Sequence, residues 1–313
     1  MYIFRKRFER VYNRNVLVIC NVIVYYVSTF LGIKKKQKVN IPAGYTKVFS
    51  DNFTQFDNSI KRLKESNDYI IGNDWGEFHH NNGNPSCYFD TTWNTTKLEF
   101  DTLKLKVITK PKKYNESDVP EHLRHEKMRF PLTIHNKVPF IKTKKGYKHG
   151  LFKADIKLPV GLNLWPAFWL SGLTKWPPEI DILEAYTDIN DKYGYKNNRL
   201  LNKDWKLQPN IHYGTKDEHK YYGAHNSPVF DAHNRFVEYA CHWTKDFIKI
   251  YYDGRLIFHV WDKDVLKYFN EDDSHMQLIF NISLTKNAEK ITMSEMEIKN
   301  INIYQKFLDI NIL

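Results

Sequence analysis

From Tyr45 onward the chain alternates apolar and polar residues in short runs, and this period of two narrows its fold more than any other feature. The runs are KLEFDTLKLKVIT (97–109), GLFKADIKLP (150–159), DFIKIYYDG (246–254), MQLIFNISL (276–284) and EMEIKNINIYQ (295–305). Successive side chains on a strand face opposite ways, so such runs suit sheets with one face against a core. DFIKIYYDG ends in an Asp-Gly turn and RLIFHVW (255–261) follows it, which predicts a hairpin. No long stretch has helical periodicity. Many strands and few helices in this length predict an all-β sandwich or barrel.

One run is chemically unusual. Glu179-Ile180-Asp181-Ile182-Leu183-Glu184 places three carboxylates in six residues, spaced by aliphatic ones. On a regular strand Glu179 and Asp181 share a face and Glu184 falls on the other. A β-bulge near Ile182-Leu183 would bring Glu184 back beside them. Three acids on one face repel, which raises at least one pKa. A catalytic site uses such a division between ionised and protonated carboxyls. An ordinary half-exposed strand also alternates acids with aliphatics, and the six residues alone fit either.

The formal net charge of +11 is unevenly placed. Residues 1–40 hold nine Lys or Arg against Glu9 alone, a net of +8. The excess therefore belongs mainly to the N-terminus and does not indicate a nucleic-acid-binding domain. A second cluster, residues 104–148, holds thirteen Lys or Arg against four acids; it fits an anionic substrate or a solvated basic surface. Residues 16–33 carry no charge over eighteen positions and lie between basic flanks, the minimum for a membrane span. No small-x-small cleavage site follows, so the stretch predicts a signal anchor with an exported C-terminal domain, extracellular or membrane-anchored. The alternative is an N-terminal element lying on a surface. Residues 34–44 read as a linker, 45–305 as one domain and 306–313 as a tail. Residues 111–130 and 187–209 read as irregular insertions. Cys20, Cys87 and Cys241 lack metal-ligand spacing, and no phosphate loop or zinc motif is present. Nothing in the chain calls for a metal or other cofactor.

Six stretches together resemble glycoside hydrolase family 16, the laminarinases, agarases, carrageenases, lichenases and related transglycosylases. Glu179-Ile-Asp-Ile-Leu-Glu184 matches its bulged signature Glu-x-Asp-x-x-Glu. Gly161-Leu-Asn-Leu-Trp165-Pro166-Ala167-Phe168-Trp169-Leu170 and Gly150-Leu-Phe-Lys-Ala-Asp-Ile-Lys-Leu-Pro159 are similar to the two preceding strands. Asn210-Ile-His212-Tyr-Gly214, then Tyr239-Ala-Cys-His-Trp243 with Ile250-Tyr-Tyr-Asp-Gly254, follow in the family's order, and Val48-Phe-Ser-Asp-Asn-Phe53 resembles its opening strand.

The resemblance implies a concanavalin-like β-jelly-roll sandwich of two curved antiparallel sheets, with a substrate cleft on the concave face. It implies Glu179 as nucleophile, Asp181 as helper and Glu184 as acid/base of a retaining, endo-acting glycosidase. Crowding of the acids predicts that Glu184 holds the proton in the resting site. Trp165, Trp169, Trp176 and His212 are candidate substrate-binding residues; either tryptophan of the 165–169 pair can face the cleft or the core. The implied partner is a β-linked polysaccharide, either β-1,3-glucan or an agar- or carrageenan-like galactan, acted on by a monomer. A transglycosylase or a non-catalytic carbohydrate-binding jelly roll are the alternatives. Two departures stand out. Residues 281–290 lack the glycine-rich loop of many laminarinases, and Lys299 stands where many members carry a calcium-binding Asp.

Overall fold

A computed structural model describes residues 8–30, 38–54, 60–186, 206–223, 229, 232–293 and 295–306. Among these, nineteen strands form three sheets. The outer sheet runs β17 (Arg255–Val260), β16 (Ile248–Tyr252), β15 (Val237–Trp243), β10 (Gly150–Lys157), β19 (Met296–Lys306), β6 (Leu103–Leu105) and β5 (Thr96–Leu98). β1 (Tyr45–Asp51) also pairs with β19. The cleft sheet runs β14 (Lys220–Gly223), β13 (Lys206–Tyr213), β12 (Glu179–Tyr186), β11 (Leu164–Gly172), β18 (Met276–Leu284), β9 (Phe140–Thr143) and β2 (Tyr69–Ile71). Every pairing in these two sheets is antiparallel, and the two form the predicted jelly-roll sandwich.

A third sheet joins them. It runs β3 (Phe78–Asn81), β4 (Asn84–Phe89), β8 (Leu132–Val138) and β7 (Ile108–Tyr114), with β4 and β8 parallel. The supposed insertion at 111–130 therefore begins inside a strand and continues through two short 3-10 turns, Glu116–Asp118 and Glu121–Leu123. Residues 206–209 likewise belong to β13, and 187–205 lie outside the described residues. Of the C-terminal tail, Lys306 ends β19 and 307–313 lie outside the described residues.

Alternation builds the sandwich. On β11, Leu164, Phe168 and Leu170 are fully buried in the core, whereas Trp165, Ala167, Trp169 and Ser171 face the cleft. Phe168 stacks on Phe280 of β18, ring centroids 4.7 Å apart and planes 4° from parallel. The predicted hairpin is present: Tyr252 pairs with Arg255 around Asp253 and Gly254, both at positive φ (54° and 75°). That backbone is the one an Asp-Gly pair supplies at low cost. Cys87 and Cys241 are buried free thiols, so no disulfide links them.

The basic stretch 104–148 is not a bare cationic face. Lys104, Lys112, Lys137, Lys142 and Lys148 pair with Glu99, Glu77, Asp90, Asp74 and Asp272.

The membrane span expected at 16–33 is not supported, and its residues 31–33 lie outside the described residues. The helix is Leu17–Phe30, continuous with a π-turn at Tyr12–Val16, and no helix among the described residues is long and apolar enough to cross a membrane. Its asparagines bind the protein instead. Asn13 donates to the His259 carbonyl at 2.7 Å and accepts from the His259 amide at 2.8 Å, filling the open edge of β17 as a strand partner would. Asn21 donates to the Leu256 carbonyl at 3.0 Å. Eight helical residues rise about 12 Å, close to the spacing of three residues along a strand, so both asparagines reach the same edge. Glu9 is buried, accepting from Tyr222 of the cleft sheet and from the Trp261 amide beyond β17. The N-terminal segment thus joins the edges of both sheets. The linker is also tied down: Val39 bonds Glu238 and accepts from Lys153.

Candidate active site

The bulge required for the three acids is present on β12. Against β11, Leu183 pairs with Phe168 and Asp181 with Trp169, leaving Ile182 as the extra residue. Against β13 the register also slips between Asp181 and Glu184, opposite Pro209. A proline lacks the N–H a regular ladder would use there. Ile182 and Leu183 both enter the core, and parity resets so that Glu179, Asp181 and Glu184 line one cavity of about 260 Å³.

Each acid has a distinct environment. Glu179 accepts from the Trp176 indole N–H at 2.8 Å. Glu184 accepts from three donors: Trp165 at 3.0 Å and Tyr186 at 2.7 Å on one oxygen, and the Asn210 amide on the other. Asp181 is buried, and its Oδ2 has no hydrogen-bond partner. His212 Nε2 lies 3.3 Å from both Glu179 Oε1 and Asp181 Oδ2. On its other side, His212 Nδ1 is hydrogen-bonded to His219 Nε2 at 2.8 Å, and the two rings lie 4° from parallel.

Burial, then the charge of Asp181, pushes the Glu179 carboxyl up to about 8; His212 and the Trp176 hydrogen bond act the other way. Asp181 is also raised, by burial first and the charge of Glu184 second. The upward shifts thus fall on the two acids that precede the bulge, Glu179 and Asp181. Three donors converge on Glu184 from β11, β12 and β13, an environment its sequence neighbours do not reveal. Glu179, Asp181 and His212 present ligand atoms within 4.8 Å of one another, so a cation could compete with the proton there. Lys299 packs its ammonium 4.9 Å from the centre of the Phe236 ring.

All four candidate binding residues are at the cleft. Trp165 and Trp169 both face it, and Trp169 donates to Asn281 at 2.7 Å. Trp176 and His212 flank Glu179. A second cavity of about 220 Å³ adjoins the first beyond Trp169, floored by Lys142, Ser171 and Gln277 and walled by Trp75 and Trp176. Tyr186, Asn210, His219 and Trp75 did not emerge from the sequence reading. Parity was the available signal for two of them, since Tyr186 stands two residues after Glu184 and Asn210 two before His212.

The chain is similar to several known proteins. A glucan endo-1,3-beta-glucosidase from Cryptopygus antarcticus is 25% identical over 158 residues, 46% of this chain and 54% of that protein, so the chain spans about half that relative's length. The crystal structure of LamAcat from Zobellia galactanivorans superposes with a TM-score of 0.59 at 22% identity, covering 83% of this chain and 98% of that one. A structure described with endo-acting O-glycanases of the human gut microbiota superposes with a TM-score of 0.63 at 18% identity, covering 88% and 96%. These two likenesses concern the fold. The family model for glycosyl hydrolases family 16 matches residues 86–299, a span containing Glu179, Asp181 and Glu184, and the chain belongs to that family.

Proposed function

We propose that this protein is an endo-acting, retaining glycosidase that cleaves β-1,3-linked glucan. The observation that carries the reading is the bulged β12, which sets Glu179 and Glu184 on one cleft face, each held by a tryptophan N–H. Retention needs two carboxyl groups about 5–5.5 Å apart on either side of the scissile bond. In this reading Glu179 attacks the anomeric carbon and forms a glycosyl-enzyme. Glu184 gives its proton to the departing oxygen, then takes one from the water that releases the sugar. Asp181 holds the proton shared within the pair and donates a hydrogen bond to Glu179, leaving the nucleophile ionised. Exposed Trp75, with Trp165, Trp169 and Trp176, offers flat rings for sugar faces.

The glucan is preferred over a sulfated galactan on one observation. Lys142, the basic residue of the 104–148 stretch that lines the cleft, is already paired with Asp74. The test is a reducing-end assay of the full chain on laminarin, lichenan, agarose, porphyran and carrageenans. Laminarin should be cut into a ladder of oligosaccharides, and Glu179→Gln and Glu184→Gln should each abolish cleavage. Wild-type turnover in either variant would remove the mechanism; cleavage of carrageenan alone would remove the glucan. Tight binding without cleavage by the wild-type protein would favour a carbohydrate-binding module.

A further inference from the structure

The N-terminal helix has a second face that the fold leaves bare. Val16, Ile19, Ile23, Val24 and Val27 are 45%, 56%, 56%, 47% and 50% exposed, and Cys20 is exposed among them. Their three- and four-residue spacing puts them in one row, while Leu17 and Asn21 face the protein. The row is about 17 Å long at the rise of an α-helix. Its charge setting is one-sided. Five Lys or Arg precede the row and four follow it within residues 1–40, and the single acid, Glu9, is turned inward against Tyr222 and Trp261.

We propose that this face seats on an anionic phospholipid surface, with the helix lying in the plane of the headgroups and the β17 edge held against its other side. An aliphatic row flanked in sequence by cations is the pattern that binds an interface without crossing it. The asparagine bonds to β17 support this placement, because a helix crossing the bilayer would have to leave them. A second copy of the chain is a poorer occupant, since it would bring one net +8 segment against another. Polysaccharide is poorer too, because Val and Ile lack the flat rings on which sugars stack. The inference is independent of the glycosidase reading.

Flotation of the full chain with vesicles tests it. The chain should float with phosphatidylcholine vesicles containing phosphatidylserine, far less with phosphatidylcholine alone, and less as salt rises. Ile19→Asp with Ile23→Asp should abolish flotation while thermal melting and hydrolysis of soluble oligosaccharides stay as in wild type. Lys34, Lys35 and Lys36 replaced by Gln should weaken binding on the order of a hundredfold, since each cation near such a surface contributes roughly fivefold. No flotation of the wild-type chain, flotation unchanged in the Ile19→Asp/Ile23→Asp chain, or a stable dimer that ignores vesicles would each overturn the proposal. Resistance of the bound chain to alkaline carbonate extraction would overturn it in favour of a span.

Discussion

Trp176 and Glu179 are three residues apart, and the indole N–H of the first donates to the carboxylate of the second at 2.8 Å. The tight turn between β11 and β12 makes this reach available. Gly172 sits at its start, where a Cβ would collide with the Lys175 carbonyl. Trp176 is thus both a wall of the cleft and a clamp on the Glu179 carboxylate.

Replacing Trp176 with Phe keeps an aromatic wall and removes the donor. A hydrogen bond to a charged group contributes about 1.5–3 kcal/mol, so kcat should fall roughly ten- to a hundredfold with KM little changed. Steady-state kinetics on laminarin oligosaccharides check this. A loss confined to KM would reassign Trp176 to sugar stacking alone.

The pH profile should carry the mark of the buried pair. Glu179 is raised to about 8 by burial and by Asp181. The nucleophile must be ionised to attack, so kcat/KM should climb as pH rises through that raised value, above the ordinary carboxylate range. Asp181→Asn removes the neighbouring charge. Its acidic limb should move downward, and its maximal rate should drop because the shared proton is lost. An acidic limb that stays in place would argue against coupling between the two residues.

Asn210 reaches Glu184 only because β14 presents a glycine beside it. A Cβ at Gly223 would strike both the Asn210 side-chain oxygen and the Pro209 carbonyl. Gly223→Ala should therefore displace the amide from Glu184 and lower kcat about tenfold, the scale of one charge-assisted hydrogen bond. Asn210→Ala should do the same, and the double variant should be no worse than either single one. Additive losses would show that Gly223 acts elsewhere.

The N-terminal segment should dock more firmly in acid. Glu9 is raised above its ordinary 4.5, chiefly by burial, against lowering hydrogen bonds from Tyr222 and the Trp261 amide. A carboxyl raised on folding contributes stability that is fully present below its unfolded value and is lost as pH rises through the folded one. Glu9→Gln cannot ionise. The Tm of wild type should therefore fall relative to Glu9→Gln as pH increases above the ordinary carboxylate range; a gap constant with pH would sink the idea.

Some of this was legible and some was not. Alternation in GLFKADIKLP and MQLIFNISL marked the strands because each sends alternate apolar side chains into the core, and odd parity within EIDILE pointed to the bulge. The third sheet was missed because Pro85 and Pro111 interrupt two of its strands and because it is paired partly in parallel. Asn21 is a polar residue inside the uncharged stretch 16–33. Its use as a donor to β17 depends on an edge more than two hundred residues away. The set of donors around Glu184 was also out of reach, since three different strands supply it.

The extra residue on β12 has a consequence for how this gene can change. Point substitutions at Ile182 that keep an apolar side chain leave the positions after it in phase. Loss of its codon would do so too. Without the extra residue Glu179, Asp181 and Glu184 would stand two apart on a regular strand and still share the cleft face, with Leu183 and Ala185 turned to the core, so the bulged and the straight strand are two solutions to the same alignment of acids.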